Sequence, residues 1–111
     1  MFFQLKKFKK TDTPFYYYDT DLLRETLNTI NKEAGKYENF CVHYAIKANA
    51  NPKVLNIICQ AELGADCVSG GEILASLNAG FPSNKIVFAG VGKNDKEIKL
   101  GLEKNYFFAL M

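Results

Sequence analysis

The fold is decided by residues 40–52, which read FCVHYAIKANANP. The run from Phe40 to Lys47 is predicted to be a strand. Its residues are mostly apolar without regular polar alternation, which is typical of a strand covered on both faces in a parallel sheet. Lys47 ends that strand, and small residues follow at once. Asn51-Pro52 then predicts a helix start, because Asn caps helices and Pro is tolerated in the first turn.

The same rhythm of strand and helix continues along the chain. Strands are predicted to begin near residues 40, 65, 85 and 106, at intervals of 25, 20 and 21 residues. Such intervals suit parallel strands joined by helices and short loops. The helices between them are predicted over residues 52–64, 71–79 and 95–103, after a separate strand at 15–18 and a helix at 21–34. The pattern therefore predicts βα units, as in a parallel α/β sheet.

The length limits how much of such a fold is present. A complete (β/α)8 barrel of the TIM type needs about 250 residues, and the chain has 111. It also stops on an apolar strand, Tyr106–Leu110, which would be an aggregation liability as an exposed edge. We expect the first βα units of a partial barrel, in a fragment of a longer protein or a half completed by another chain.

Composition excludes several classes of function. The chain has 14 basic and 12 acidic residues, a balance that gives no argument for nucleic-acid binding. No apolar run reaches membrane-spanning length, and the basic cluster within Lys6–Lys10 follows a short apolar segment rather than preceding it as in a signal peptide. The three cysteines lack metal-ligand spacing. We expect no metal, no membrane and no nucleic acid, with reduced, mostly buried thiols in a cytoplasmic protein.

Candidate functional residues cluster where the predicted strands end. In parallel α/β folds the carboxyl ends of the strands carry the chemistry. Lys47 lies there, and a lysine partly desolvated by Ala45 and Ile46 can supply a neutral amine that forms Schiff bases with carbonyls. From the residues alone, a solvated lysine is the competing interpretation.

The next strand end supplies two carboxylates. Asp66 lies inside a short apolar strand, where a carboxylate is costly unless paired, and it could pair with the amine of Lys47. Ser69-x-x-Glu72 matches a helix capping box, so both residues have a local structural explanation. Lys93, after the third strand, is a candidate cation for the substrate or a surface lysine. The residues by themselves predict an α/β enzyme fragment with a possible Schiff-base lysine.

Four blocks in order carry a resemblance: Thr13–Asp19 (TPFYYYD), YAIKAN at 44–49, GADCVSGGEI at 64–73 and AGFPSNKIVFAGVGK at 79–93. Together they resemble the N-terminal part of the diaminopimelate decarboxylases. These are a branch of the fold-type III, pyridoxal-phosphate-dependent decarboxylases, which have an alanine racemase-like barrel. The resemblance runs from about Thr13 to the C-terminus.

The resemblance implies an activity and a role for individual residues. Lys47 corresponds to the lysine that holds pyridoxal 5'-phosphate (PLP) as a Schiff base. Asp66 and Glu72 correspond to carboxylates of the active site, and Ala45 to a residue that packs near the cofactor. The implied reaction is decarboxylation of meso-diaminopimelate to L-lysine and CO2, in lysine biosynthesis, by a cytoplasmic homodimer. Residues 1–19 would be an N-terminal arm and strand of the β-domain, and residues 20–111 an incomplete PLP-binding barrel.

Much of that family's machinery lies outside this sequence. The phosphate-binding loop, the glutamate that pairs with the pyridine nitrogen and the C-terminal β-domain have no counterpart here, so we expect the chain to be inactive alone. Two alternatives stay open at this point. One is another fold-type III decarboxylase, acting on ornithine or arginine. The other is a non-catalytic PLP-binding module or structural barrel half.

Overall fold

Four short parallel strands form one sheet. The computed structural model describes residues 2–108, with side chains from residue 5 to residue 106. The strands are β1 (His43–Ala45), β2 (Gly64–Cys67), β3 (Ile86–Phe88) and β4 (Phe107–Phe108). Each pairs in parallel with the next one along the chain, in the order β1-β2-β3-β4. This confirms the predicted βα units of a partial α/β barrel.

Helices lie before and between the strands. They are α1 (Phe2–Phe8), α2 (Thr20–Ala34), α3 (Pro52–Gln60), α4 (Gly70–Ala79) and α5 (Asp95–Lys104), with short 3-10 turns at Ile46–Ala48 and Ser83–Lys85. The last four helices each begin after a side chain that accepts a backbone hydrogen bond from the first turn, namely Asp19, Asn51, Ser69 and Asn94. These caps satisfy amides that a helix N-terminus leaves unpaired. No helix among residues 2–108 has both the length and the apolar composition that a membrane span requires.

The core lies between the sheet and its helices. Ala65, Cys67, Ile86 and Phe88 are fully buried on one face of the sheet, and the Sγ of Cys67 is 3.3 Å from the Oγ of Ser76 in α4. Side chains alternate between faces along a strand, so Asp66 and Val87 lie on the opposite face, where both are only partly buried. The sequence predicts strands covered on both faces, whereas the described residues bury one face of the sheet.

Two predicted boundaries were wrong. The first strand is shorter than Phe40–Lys47, because the backbone turns into a 3-10 helix at Ile46. The helix predicted to reach Gly64 ends at Gln60, and Glu62 reverses the chain with a φ of 66°. Gly64 instead begins β2, where an added Cβ would lie 2.3 Å from the Cδ2 of His43. Gly64 is therefore required by a close approach of two strands.

The N-terminal segment differs from its prediction. Residues 15–18 have extended or irregular backbone and belong to no strand among the described residues. Their rings instead contact aromatic neighbours: Phe8 lies 5.3 Å from Phe15 and 5.0 Å from Tyr17 between ring centroids. Tyr16 stays 89% exposed. Assignment of residues 1–19 to a β-domain stays a prediction, and the last part of the strand expected at 106–110 lies outside the described residues.

The cysteines are free, but they are not mostly buried as expected. Cys67 is buried, Cys59 is intermediate and Cys41 is exposed. Cys41 precedes β1, where the backbone has not yet entered the sheet, so its side chain reaches solvent. Burial raises the pKa of the Cys67 thiol to about 11, with opposition from its hydrogen bond to Ser76. Cys67 is consequently an inert core residue at neutral pH.

Candidate active site

The carboxyl ends of the strands bring three sequence-predicted segments to one edge of the sheet. Lys47 follows β1, the segment Ser69–Glu72 follows β2, and Gly90–Asn94 follows β3. Because neighbouring strands pair in parallel, all three segments leave the sheet on the same side. The structure thus places the three segments together at the carboxyl edge, where α/β folds bind ligands, and their part in a site stays a prediction.

Lys47 lies in the 3-10 turn Ile46–Ala48 and is exposed. Ile46 is fully buried and anchors the turn in the core, which leaves the adjacent lysine on the outside. The expectation that Ala45 and Ile46 partly desolvate the amine is therefore wrong for the described residues, because Ile46 faces the core and Lys47 does not. The turn fixes where the lysine backbone lies and leaves its amine accessible.

Hydrogen bonds hold the segment that follows the lysine. The hydroxyl of Tyr44 donates to the carbonyl of Asn49 at 3.1 Å, and the amide side chain of Asn49 donates to the hydroxyl of Tyr18 at 3.2 Å. The side-chain oxygen of Asn49 accepts from the backbone amide of Asn51 at 2.9 Å. Burial raises the pKa of Tyr44, which keeps its hydroxyl protonated as a donor. The loop after Lys47 is thus tied to β1 and to the segment before α2.

Sequence reasoning missed this network. Tyr18 and Asn49 are 31 residues apart, and no local pattern predicts their contact. The available signals were a tyrosine inside β1 and an asparagine whose side chain can accept from the backbone amide two residues later, as in Asx turns. Tyr44, Asn49 and Tyr18 therefore join the candidate site as residues that position the lysine loop.

Asp66 faces the open side of the sheet. It is in register with Ala45 of β1 and Val87 of β3, and residues in register on parallel strands share a face. Its Oδ1 is buried and has no hydrogen-bond partner among the described residues. A buried carboxylate oxygen without a partner is costly. Asp66 thus carries a buried acceptor that no described group satisfies.

The predicted pairing of Asp66 with the amine of Lys47 is not formed. Among the side chains described, residues 5–106, an ion pair joins Lys36 to Glu33 at 2.7 Å, and Asp66 and Lys47 form none with each other. Lys47 lies in the turn beyond the end of β1, and Asp66 lies one residue before the end of β2. The two residues therefore lie at the same edge of the sheet, one in a turn and one in a strand, without an ion pair between them.

Glu72 has a local role that differs from a complete capping box. Ser69 accepts from the amide of Glu72 at 3.2 Å, which is the expected half. The carboxylate of Glu72 accepts from the amide of Val68 at 2.7 Å, rather than from Ser69. Glu72 is partly buried, so the carboxylate closes the turn between β2 and α4. Its second oxygen leaves it able to contact a neighbouring group, and its part in catalysis stays a prediction.

The third segment carries a lysine that is engaged locally. The amine of Lys93 donates to the carbonyl of Gly90 and lies 5.1 Å from the ring centroid of Phe88. Both contacts are with its own strand and loop. Lys93 is partly buried, and its role as a cation for the substrate stays a prediction.

A cavity of about 730 Å³ lies at the other end of the strands. Its lining includes Cys41, His43, Gly64 and Lys85, which stand at or just before the first residues of β1, β2 and β3. It is therefore separate from the edge that holds Lys47. No group of three or more His, Cys, Asp and Glu side chains in the described part of the chain could hold a metal ion.

The residues at the carboxyl edge fit an aldehyde cofactor such as PLP. Lys47 offers an accessible amine, and Asp66 offers a buried, unpartnered oxygen on the adjacent strand. Gly71, at the start of α4, has open space, since an added Cβ would meet only the Oγ of Ser69 at 3.9 Å. An amine for the aldehyde, an acceptor for a polar ring substituent and free space beside a helix N-terminus are the features that such a cofactor uses.

The fold and the edge just described define the class of protein, a partial α/β barrel with an exposed lysine at the carboxyl edge of its parallel sheet. Comparison with known proteins gives the family. Residues 21–107 match the model of the pyridoxal-dependent decarboxylase, pyridoxal binding domain. The chain belongs to this family, and the resemblance seen in the sequence is confirmed.

Relatives with known names point to one branch of that family. A diaminopimelate decarboxylase of Bacteroides thetaiotaomicron is 65% identical over 105 residues, which are 95% of this chain and 27% of that protein. One from Helicobacter pylori is 43% identical over 108 residues, 97% of this chain and 26% of that protein. The chain thus spans about a quarter of the length of the curated relatives it matches.

A solved structure agrees with the same branch. The crystal structure of diaminopimelate decarboxylase from Helicobacter pylori complexed with L-lysine has a TM-score of 0.84 and 42% identity. The likeness covers 95% of this chain and 26% of that one. Together with the four parallel strands, this confirms the fold class predicted from the sequence.

Proposed function

We propose that this chain is the Lys47-bearing part of a PLP-dependent diaminopimelate decarboxylase. The whole enzyme removes CO2 from the D-configured centre of meso-diaminopimelate and yields L-lysine. The observation that carries the proposal is the position of Lys47, which a buried Ile46 fixes at the carboxyl edge of the sheet, beside the strand of Asp66. The 65% identity to a named diaminopimelate decarboxylase supports this substrate.

Lys47 is proposed to hold the cofactor as a Schiff base through its side-chain amine. Its exposure lets the amine reach the aldehyde carbon, and the hydrogen bonds of Asn49 to Tyr44 and Tyr18 keep the loop in place. When bound, PLP supplies an electron sink for the carbanion that remains after CO2 leaves. Once the substrate has displaced it, the amine of Lys47 is positioned to hold and deliver a proton.

Asp66 and Ala45 are proposed to face the cofactor from adjacent strands. The unpartnered Oδ1 of Asp66 is proposed to accept a hydrogen bond from the ligand or from the amine of Lys47. Ala45, in register with Asp66, is small enough to leave room on that face. Glu72 is proposed to line the same site while its other oxygen holds the amide of Val68.

The whole enzyme is proposed to be a cytoplasmic homodimer in which residues 1–19 contribute to a second, β-type domain. The exposed tyrosines 16–18 are available for such contacts, with Tyr16 89% exposed. Three free cysteines agree with a reducing compartment. The 111-residue chain alone is proposed to be inactive. The proposed dimer is tested by measuring the mass of the full-length protein in solution.

The test is decarboxylation by the full-length protein with PLP. Released CO2 and L-lysine are measured with meso-diaminopimelate, ornithine and arginine as substrates. Replacement Lys47→Ala should lower kcat/KM at least about a hundredfold, because it removes the amine that forms the Schiff base and a proton-transfer group that alone contributes typically about 10²–10⁴-fold. Lys53→Ala, an exposed lysine in α3, is the matched control and should leave the rate unchanged.

The outcomes separate the competing functions. Turnover of meso-diaminopimelate that depends on Lys47 supports the proposal. Preference for ornithine or arginine would assign another decarboxylase of the same fold. Cofactor binding without release of CO2 from any of the three would assign a non-catalytic PLP-binding module.

A further inference from the structure

Glu97 makes an unusual pair of hydrogen bonds at the edge of the sheet. Its Oε2 accepts a hydrogen bond from the backbone amide of Asn94 at 3.1 Å. The side-chain oxygen of Asn94 in turn accepts from the backbone amide of Glu97 at 2.9 Å. These two bonds form the capping box of α5. Its Oε1 instead accepts from the amide of Gly70, 27 residues earlier, at 3.0 Å. One carboxylate therefore joins the N-termini of α4 and α5.

The two helix N-termini joined by Glu97 are both at the candidate active site. The sheet ladder continues only one step past the strands, where the amide of Ala89 donates to the carbonyl of Cys67 at 2.8 Å. Beyond that point Gly90 lies next to Val68, since a Cβ added to Gly90 would lie 3.9 Å from the Cβ of Val68. The bond from Gly70 to Glu97 lies further along the chain, so it fixes the first residue of α4.

The backbone of Gly70 lies next to the carboxylate of Glu97. A Cβ added at Gly70 would lie 3.4 Å from the Cγ of Glu97 and 3.5 Å from its Oε1, which is ordinary van der Waals contact. Hydrogen bonds from the amides of Asn94 and Gly70 lower the pKa of Glu97, and the charge of Lys93 acts in the same direction. The carboxylate is thus ionised at neutral pH and accepts both bonds as a charged group, which makes them stronger than neutral ones.

We propose that Glu97 is a positioning residue that clamps the segment Ser69–Glu72, which is the cap and first turn of α4, against the α5 N-terminus and so keeps the cofactor edge in its binding geometry. This inference rests on the proposed function, since the segment matters to catalysis only if a ligand binds beside it. Glu97 itself contacts backbone amides, and its effect on the ligand passes through Gly70 and the residues that follow.

The first measurement is hydrogen exchange by mass spectrometry in the full-length protein, with and without PLP. In peptides that cover residues 68–72, Glu97→Ala should speed exchange of the Gly70 amide about tenfold, because a charge-assisted hydrogen bond is lost. Glu97→Gln keeps one acceptor oxygen, so its exchange rate at Gly70 should lie between those of the wild type and Glu97→Ala. Asp95→Asn removes a charge from the same helix turn without touching Gly70 and should match the wild type.

A second control separates the clamp from the helix cap. Asn94→Ala removes the cap of α5 but leaves the carboxylate of Glu97 in place, so exchange at Gly70 should change less than about twofold. Equal acceleration in Asn94→Ala and Glu97→Ala would mean that general loosening of α5 is responsible. Unchanged exchange in Glu97→Ala would mean that the bond is absent in solution. Either result overturns the inference.

The second measurement is the dissociation constant of PLP. Glu97→Ala should raise it at least about fivefold, since a looser segment binds with a larger ordering cost, while Asp95→Asn should leave it unchanged. Equal PLP affinity in Glu97→Ala and the wild type would refute the positioning role even if exchange at Gly70 increases. A wild-type protein that binds no PLP would instead refute the proposed function, an outcome distinct from failure of the clamp.

Discussion

Gly64→Ala is predicted to destabilise the fold more than any conservative change at the strand ends. An added Cβ would lie 2.3 Å from the Cδ2 and 2.6 Å from the Nε2 of His43, and 2.7 Å from the carbonyl oxygen of Lys85. Favourable contacts lie at about 3.5–4.0 Å. The imidazole can rotate away, but the carbonyl belongs to the backbone that leads into β3. Relief therefore needs a shift of roughly 0.8 Å between neighbouring strands.

The size of the destabilisation depends on two neighbours, the side chain of His43, which can move, and the backbone carbonyl of Lys85, which is fixed. Overpacking in a close-packed interior costs typically about 1–3 kcal/mol, and a backbone clash belongs at the upper end. We expect Gly64→Ala to lower the free energy of unfolding by about 3 kcal/mol. In the Gly64→Ala background, His43→Ala should cost about 1 kcal/mol less than in the wild type, because it relieves only the side-chain part of the clash.

The assay is urea denaturation followed by circular dichroism, with Gly71→Ala as the matched control. Gly71 lies in the first turn of α4, and its added Cβ would meet only the Oγ of Ser69 at 3.9 Å. That variant should be about 0.5–1 kcal/mol more stable, because alanine favours helix over glycine. A Gly64→Ala protein within 0.5 kcal/mol of the wild type would refute the reasoning, and so would full recovery in the double variant.

Three further predictions concern the core and the lysine loop. Burial raises the pKa of Cys67 from 9.0 to about 11, so the folded state keeps a proton that the unfolded state loses. The free energy of unfolding should fall as the pH rises from about 9 to 11, and it should fall less steeply in Cys67→Ala. Equal slopes in the variant and the wild type would contradict this. Tyr44→Phe removes the bond to Asn49 and should cost about 1 kcal/mol with faster amide exchange at 47–51, and unaltered exchange would count against it. Leu55→Ala, at 0% exposure, should cost about 3 kcal/mol, against under 0.5 for Leu22→Ala at 58%, in urea titrations; similar costs would show the core is misplaced.

Much of the local structure could be predicted from the sequence because it depends on short-range contacts. Asn51 and Ser69 cap helices through bonds that span two or three residues, and such bonds follow from residue type and spacing. Gly80 ends α4 with a φ of 104°, a conformation that glycine adopts without steric cost. The parallel order of the strands followed from apolar runs repeated at the spacing of βα units.

Contacts between distant segments could not be predicted in the same way. The bond from Gly70 to Glu97 spans 27 residues, and that from Asn49 to Tyr18 spans 31. Each depends on how two loops leave the sheet, which no local pattern encodes. The sequence predicts that Gly64 ends a helix, because glycine commonly stands there, whereas in the structure Gly64 leaves room for the side chain of His43 on the neighbouring strand. Exposure of Lys47 likewise depends on the turn at Ile46, which shortens the strand.

The central claim is that Lys47 is the residue that binds PLP covalently. The most direct measurement is to incubate the full-length protein with PLP, reduce it with borohydride and locate the modified lysine by peptide mass spectrometry. The account predicts pyridoxyl phosphate on Lys47, in the peptide that contains YAIKANAN, with no modification there in Lys47→Ala. Wild-type protein that carries the label only on another lysine, such as Lys53 or Lys93, or that carries none, would contradict it.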